Sequence, residues 1–298
     1  MEFEEFRGIL CKNFDDANVT ITGIPFDKNA SIGKGAALAP DHIRELSKMV
    51  PATSMNGYLL SNIKLFDNGN ITAENFDLIK SKFLEIYKNN KFNFVLGGDH
   101  SITIPLEQAF FDYAKSINKR PVIIHVDAHP DICDSYEDNK FSHACTNKRS
   151  LDYGYNDEDF TIVGVRGFEE QEIELFKKHP GIDVFKTSDI KLLTPRGFVN
   201  YLRSKYDENC LIYLSYDIDA NDPAFAPGTG TPEPFGLTNH EVIEILTGIV
   251  AHLNVGTFDI VEVSPKLDTN DITSYLAIKT IYELLYTYQE KVLCGQKY

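Results

Sequence analysis

Residues 121–131 read Pro-Val-Ile-Ile-His-Val-Asp-Ala-His-Pro-Asp (PVIIHVDAHPD). The first half is apolar at successive rather than alternate positions, so a strand built from it has two dry faces. That is the pattern of a parallel strand covered by helices on both sides. A second run, FNFVLG at 92–97, reads the same way. Six further short β-branched runs give eight candidate strands in all: Asn18–Pro25, Ile63–Gly69, Phe92–Gly97, Pro121–His129, Phe160–Arg166, Ile182–Thr187, Cys210–Asp219 and Val255–Val263.

Helical patterns alternate with these runs. Thr72 is the expected cap of a segment with Phe76, Ile79, Phe83 and Ile86 along one face. Thr238 followed by Glu241 has the form of a capping box, with Val242, Ile245, Leu246 and Ile249 as the apolar stripe behind it. Pro195 after Thr194 fits the first position of another helix. Eight strands alternating with about seven helices imply a parallel sheet between two helical layers. The same strands could also close into a barrel. In either case function gathers at the carboxyl ends of the strands.

The chain has 298 residues, 43% apolar and 24% charged, the balance of a globular protein and not of a disordered or fibrous one. Length alone allows two domains of about 150 residues. No linker, repeat or low-complexity stretch divides the sequence, so a single domain over 1–298 is expected. No apolar run approaches the ~20 residues of a membrane span. The opening MEFEEFRGIL lacks the basic and apolar regions of a secretory signal, which makes the cytoplasm the expected location. Five cysteines (Cys11, Cys133, Cys145, Cys210, Cys294) without CxxC spacing argue against a disulfide framework or a cysteine zinc site. With 29 basic against 44 acidic residues, the net charge of −15 repels nucleic acid. Such a charge attracts cationic small molecules, although it also serves solubility alone.

Metal-type ligands fall at the ends of three strands. The third runs into Gly97-Gly98-Asp99-His100-Ser101, where the glycine pair permits a sharp turn that presents His100. The fourth ends in Asp127-Ala128-His129-Pro130-Asp131 and the seventh in Asp217-Ile218-Asp219. In an extended segment, side chains at i, i+2 and i+4 share a face, so Asp127, His129 and Asp131 converge, as do Asp217 and Asp219. One divalent ion does not require four aspartates, and four aspartates without cations repel one another. Two ions sharing bridging carboxylates remove that difficulty, and oxygen-rich ligation with two histidines suits Mn²⁺. The plainer alternative is polar residues that cap loops. It accounts for one Asp-x-His pair more easily than for three such elements at matched strand ends.

The motifs GGDHS (97–101), HVDAHPD (125–131), SYDIDANDPAFAPGTGTPEP (215–234) and DIVEVSP (259–265) resemble those of the ureohydrolases, the arginase and agmatinase family. The resemblance starts at GIPFDKNASIGKGAALAPDHIRELS (23–47) and runs to the helix after Asp271-Ile272-Thr273, nearly the whole chain. It implies a three-layer α/β/α sandwich around a mostly parallel eight-stranded sheet, with a centre of two Mn²⁺ per subunit. By matching motif, His100, Asp127, Asp131 and Asp217 look like the ligands of one ion. His129, Asp127, Asp217 and Asp219 look like those of the other, with a hydroxide expected between the ions. Glu262 matches the guanidinium-binding glutamate, and Thr231 a threonine of the pocket, although a turn hydroxyl explains Thr231 equally well. Asp131 and His143 match the residues that move protons to the leaving amine, and His125 is expected to act in support of the ligands. His42, His179, His240 and His252 carry no such signal.

The chemistry implied is the attack of an activated water on a guanidinium carbon, a poor electrophile because three nitrogens share its charge. A carboxylate such as Glu262 can take two parallel hydrogen bonds from that planar group. Among substrates, agmatine fits best, giving putrescine and urea in polyamine biosynthesis. The chain after Asp131 lacks the asparagine and Ser/Thr-rich loop usual in arginases, and carries Asp134, Glu137 and Asp138 instead. An acidic loop is ill matched to a carboxylate and well matched to a second cation. Glu169, after VGVRG (163–167), can pair with a distal amine, or it can serve only as a glutamate at a helix start. Phe235, Asn221 and Tyr216 depart from the usual agmatinase pattern, and Phe235 is expected to narrow the pocket. Aminopropylagmatine, guanidinobutyrate and arginine stay open as substrates, as do a one-zinc deacetylase-like relative and a non-catalytic one. The resemblance also implies a homo-oligomer, a trimer or hexamer.

Overall fold

All eight apolar runs are strands in the computed structural model, which describes residues 3–72, 75–293 and 295. They are β1 (Val19–Gly23), β2 (Leu65–Asn70), β3 (Phe92–Leu96), β4 (Arg120–Val126), β5 (Phe160–Val165), β6 (Asp183–Lys186), β7 (Cys210–Asp217) and β8 (Val255–Val261). One sheet contains them in the order β2-β1-β3-β8-β7-β4-β5-β6, and every pairing is parallel. The sheet is open, with β2 and β6 at its edges, so the barrel alternative falls.

Alternate residues of each central strand feed two separate cores, as two-sided burial requires. Val122, Ile124 and Val126 of β4 join Ile212 and Leu214 of β7 in one core, while Ile123 and Tyr213 point into the other. Each large apolar side chain buried in this way contributes about 1.5–3 kcal/mol. The first core is roofed by α1 (Ala39–Ser47), α6 (Thr187–Leu193), α7 (Pro195–Lys205), α8 (Asn239–His252) and α9 (Ile272–Tyr288). The second lies under α2 (Phe76–Tyr87), α3 (Thr103–Ser116) and α5 (Glu170–Lys178), with α4 (Thr146–Tyr153) packed beside α3. The result is the three-layer sandwich. The described residues hold nine α-helices against about seven expected, partly because the stretch from Thr187 to Lys205 is two helices broken at Thr194, where φ is +67°.

Local signals mostly act as anticipated. Thr238 and Glu241 form the capping box of α8: Glu241 N donates to Thr238 Oγ1 at 3.2 Å and Thr238 N to Glu241 Oε2 at 2.7 Å. Pro195 opens α7, and Thr194 Oγ1 accepts from Gly197 N. The cap of α2 is Asn75, not Thr72. The helix starts only at Phe76, and Asn75 Oδ1 accepts from Leu78 N at 2.9 Å, the reach that an N-cap needs.

The chain bends at Gly98–Asp99 into the turn that His100 opens, and Gly98 has a further use. A Cβ on Gly98 would stand 1.7 Å from the Phe26 carbonyl oxygen. Glycine allows the two backbones to touch, and Asp99 N then donates to that carbonyl at 2.7 Å. Cys11, Cys133, Cys145 and Cys210 are free thiols, and Cys294 lies outside the described residues. No helix among the described residues is long and apolar enough to cross a membrane.

Candidate metal centre

β3, β8, β7 and β4 are adjacent in the sheet although far apart in sequence, and their carboxyl ends deliver one cluster. β3 and β4 follow one another in the chain but are separated by two strands, so the crevice opens at a topological switch point. His100 begins the turn after β3, Asp127 follows β4, Asp217 ends β7 and Glu262 follows β8.

The structure brings these side chains together, but not along the extended strand ends that the i, i+2, i+4 argument assumes. β4 stops at Val126, three residues short of the expected end, and the chain bends through 127–129. Asp131 then adopts φ +49°, which turns its carboxylate back toward His100. β7 likewise stops at Asp217, which caps a short turn containing Asp219: Asp219 N donates to Asp217 Oδ1 at 2.8 Å. Asp131 and Glu262 (φ +60°) are non-glycine residues in the left-handed region, a cost of about 1–3 kcal/mol each that functional sites tolerate.

His100 Nδ1 stands 3.1 Å from Asp127 Oδ2, 3.0 Å from Asp131 Oδ2 and 3.2 Å from Asp217 Oδ2. His129 Nδ1 is 3.1 Å from Asp219 Oδ2 and 3.7 Å from Asp127 Oδ1. All of these residues but His129 are buried. A ring nitrogen has one lone pair or one proton, so it cannot satisfy three carboxylates at once. Both His100 Nδ1 and Asp127 Oδ2 are buried without a hydrogen-bond partner. Ligands held by one ion at about 2.1 Å and at right angles stand about 3.0 Å apart, the spacing found here. The residues therefore fit metal ions, and two groups qualify: His100 with His125 and Asp127, and Asp127 with His129 and Asp219.

Electrostatics point the same way. Burial, with the charges of Asp219 and Asp127 added, pushes Asp217 well above the usual carboxylate range, and burial and Asp127 push Asp131 up. Burial pulls His100 down, but the three carboxylates crowded around Nδ1 outweigh that and raise it. Cations remove the repulsion that these shifts express.

Behind the cluster, side chains that sequence reading did not single out fix the ligands. Ser215 Oγ lies 2.9 Å from His100 Nε2 and donates to Asp259 Oδ1 at 2.7 Å, which leaves Nδ1 to face the carboxylates. Thr103 and Tyr213 donate to the other oxygen of Asp259. Asn147 Nδ2 donates to His125 Nδ1 at 2.8 Å, the His125 ring lies 4.4 Å from that of His100, and burial holds it neutral, down at about 3.

Above the cluster lies a cleft of about 300 Å³ lined by Ser31, Asp131, Tyr136, His143, Phe168, Glu169, Thr231 and Glu233 among others. Glu262 Oε1 accepts from His100 N at 2.9 Å and pairs with His143 Nδ1 at 3.2 Å. Burial alone would lower His143, but Glu262 outweighs it and raises the imidazole to about 9. Thr231 Oγ1 donates to Asp219 Oδ2 at 3.3 Å and Glu169 is the N-cap residue of α5, and both line the cleft. Among the described residues, the lining of the cleft includes no lysine or arginine. Phe235 is not in it. The residue is 84% exposed beside a neighbouring recess, at φ +66° in the left-handed region that glycine enters freely.

The Arginase family model matches residues 17–286. The chain is 31% identical to guanidinobutyrase of Pseudomonas aeruginosa over 282 residues, 91% of this chain and 86% of that one. It is 30% identical to agmatinase of Bacillus anthracis over 286 residues, 92% of each. The crystal structure of agmatine ureohydrolase of Thermoplasma volcanium superposes with a TM-score of 0.86 at 28% identity, covering 99% of this chain and 97% of that one. The chain belongs to the arginase family. It is a ureohydrolase, a hydrolase of guanidino compounds, and its eight-stranded parallel sheet has the arginase-like fold.

Proposed function

We propose that this chain hydrolyses a guanidinoalkylamine, with agmatine the best match, to urea and the diamine (here putrescine). The observation that supports an amine is the cleft wall. Glu169 and Glu233 line it with Asp131, and among the described residues no lysine or arginine stands with them. A substrate carrying a second cation fits that wall, whereas a carboxylate would enter against like charge.

In this reading His100, Asp127, Asp131 and Asp217 hold one Mn²⁺, and His129, Asp127, Asp217 and Asp219 hold the other. When bound, the two ions supply Lewis-acid activation of water. The protein supplies position and protons. Both contacts made by Glu262 fall on Oε1, which leaves the lone pairs of Oε2 for the substrate guanidinium. Water adds to the guanidinium carbon, the bond from carbon to the alkyl nitrogen breaks, and the amine leaves with a proton delivered by Asp131. His143, protonated beside Glu262, exchanges protons with the solvent through the cleft. Thr231 and Glu169 complete the substrate contacts. The reading extends to residues 1–298 working as one ureohydrolase domain, in the cytoplasm, as a trimer or hexamer.

A second reading, 4-guanidinobutyrate, is favoured by the similarity to guanidinobutyrase. Lys186 and Lys191 also line a recess that shares Phe168 with the cleft, and they would suit a carboxylate. The test is urea release from agmatine, 4-guanidinobutyrate and arginine by manganese-loaded protein. A kcat/KM for agmatine at least about a hundredfold above the other two supports the amine reading. Preference for 4-guanidinobutyrate overturns it, and urea from none of the three moves the substrate to another guanidino compound.

A further inference from the structure

Arg166, which follows the carboxyl end of β5, is half-buried and makes an unusual set of contacts for an arginine. Nη2 donates to Asp219 O at 2.7 Å, Glu233 O at 2.6 Å and Asn221 O at 3.1 Å. Nη1 donates to Ala220 O at 3.1 Å and Gly164 O at 3.2 Å, and Nε to Pro234 O at 3.0 Å and Glu233 O at 3.1 Å. Every one of these partners is a backbone carbonyl and none is a carboxylate. The charges of Asp219, Asp127, Glu233 and Asp222 act on the guanidinium only through space, and all of its hydrogen bonds go to the main chain. The fork of five N–H groups gathers the carbonyls of three separate segments, which would otherwise crowd together with their oxygens facing.

Two of those segments flank one imidazole. The Asp219 carboxylate lies 3.1 Å from His129 Nδ1, and Glu233 Oε1 lies 3.7 Å from His129 Nε2. The packing leaves no slack. A Cβ on Gly167, the next residue, would come within 2.7 Å of His129 Cδ2 and 3.2 Å of Glu233 Oε1. A Cβ on Gly236 would come within 2.7 Å of Arg166 Nη2. His100 and Asp131, on the opposite side of the cluster, receive no contact from Arg166.

We infer that Arg166 is a positioning residue for one half of the metal centre. By clamping the carbonyls of Asp219 and Glu233 it holds His129 between two carboxylates, and so sets the affinity of the His129–Asp219 ion but not that of the His100–Asp131 ion. The inference rests on the two-ion reading above. Lysine, with a single ammonium, can reach one or two of the seven acceptor contacts and replaces the fork only in part.

The test counts manganese and measures each ion's affinity, by titration with free Mn²⁺ followed through its electron paramagnetic resonance, in wild type, Arg166→Lys and Arg166→Met. Thermal unfolding without metal is recorded alongside. The expected result is two ions in the wild type and one tight ion in both variants. The second should weaken by about 10–100-fold, the range for groups that orient ligands, and less in Arg166→Lys. Two ions at wild-type affinity in a folded Arg166→Met protein would overturn the inference and leave the two-ion reading standing. Equal weakening of both ions, together with a collapsed metal-free melting curve, would make Arg166 a general scaffold residue and overturn it too. If Arg166→Met does not fold, Arg166→Lys decides between the same outcomes. One ion or none in the wild type removes the two-ion reading itself.

Discussion

Ser31 Oγ lies 2.9 Å from His143 Nε2, on the side of the ring opposite Glu262. Ser31 is carried there by Asp99, whose Oδ2 accepts from the backbone N–H groups of Asn29 and Ala30. The histidine is thus held at both nitrogens, by a buried carboxylate inside and by a hydroxyl that lines the cleft outside. A hydroxyl both donates and accepts, so it can pass a proton between His143 and solvent whichever nitrogen is protonated. Ser31→Ala should lower kcat for urea release by on the order of tenfold with KM nearly unchanged, less than the roughly 10²–10⁴-fold of a direct acid–base group because Ser31 acts through His143. Unchanged kcat in a fully loaded Ser31→Ala enzyme would show that protons reach His143 another way.

Glu172 makes stability depend on pH. Its carboxyl is buried under the cleft, where Ile132 N donates to Oε1 at 3.0 Å and Glu169 N to Oε2 at 2.9 Å. Burial outweighs those two bonds and raises the group from 4.5 to about 7. Below 4.5 the folded and unfolded chains both keep the proton, and the contribution is fully present. From there to about 7 the unfolded chain releases its proton while the folded one retains it, so stability falls as pH rises and levels off above 7. The loss is on the order of 3 kcal/mol. Glu172→Gln should flatten that segment, so that the variant gains on the wild type between pH 5 and 8. Urea midpoints of both proteins at equal saturating Mn²⁺ check this, and parallel curves would sink it.

Two departures from the agmatinase pattern are partners. Tyr216 OH donates to Asn221 Oδ1, and Asn221 Nδ2 donates to Asn239 Oδ1 at 2.8 Å, with Tyr216 and Asn221 both buried. Removing one leaves the other a buried polar atom without its bond, at about 1–3 kcal/mol. Tyr216→Phe should therefore destabilise by that amount, as should Asn221→Leu. The double variant should cost at least about 1 kcal/mol less than the sum. Additive losses in denaturant unfolding would mean that the pair is not coupled.

The strands and the polar cluster at their ends were legible because each signal is local: a two-sided apolar run marks a buried parallel strand, and histidine or aspartate at its end marks a candidate site. What sequence reading missed is long-range. Ser215 and Asp259 matter to His100 only because β3, β8 and β7 are neighbours, and Arg166 matters only because β5 brings it under the 219–221 and 233–234 segments. Sheet order is not written in any one segment. The bend after Val126 and the left-handed Asp131 were also hidden, since extended and bent chains of this composition place the same residues together. Thr72 and Asn75 are equally good caps on paper, and where the helix begins decides between them.

Phe235 was expected to narrow the pocket, and its position argues for a cost in stability instead. At φ +66° an aromatic residue carries left-handed strain of about 1–2 kcal/mol, and with 84% of it exposed the ring recovers little by burial. Glycine at 235 would relieve the strain. It would also loosen the unfolded chain, which takes back about 0.4–1 kcal/mol. The difference leaves Phe235→Gly more stable by up to about 1 kcal/mol, or roughly 2–4 °C in Tm for a chain of this size. Since Phe235 stands outside the cleft, kcat/KM for agmatine should stay within about twofold of wild type. A stable variant with altered kcat/KM would mean that substrate extends past Phe168 into the recess beside Lys186 and Lys191, and would favour a longer or anionic guanidino compound over agmatine.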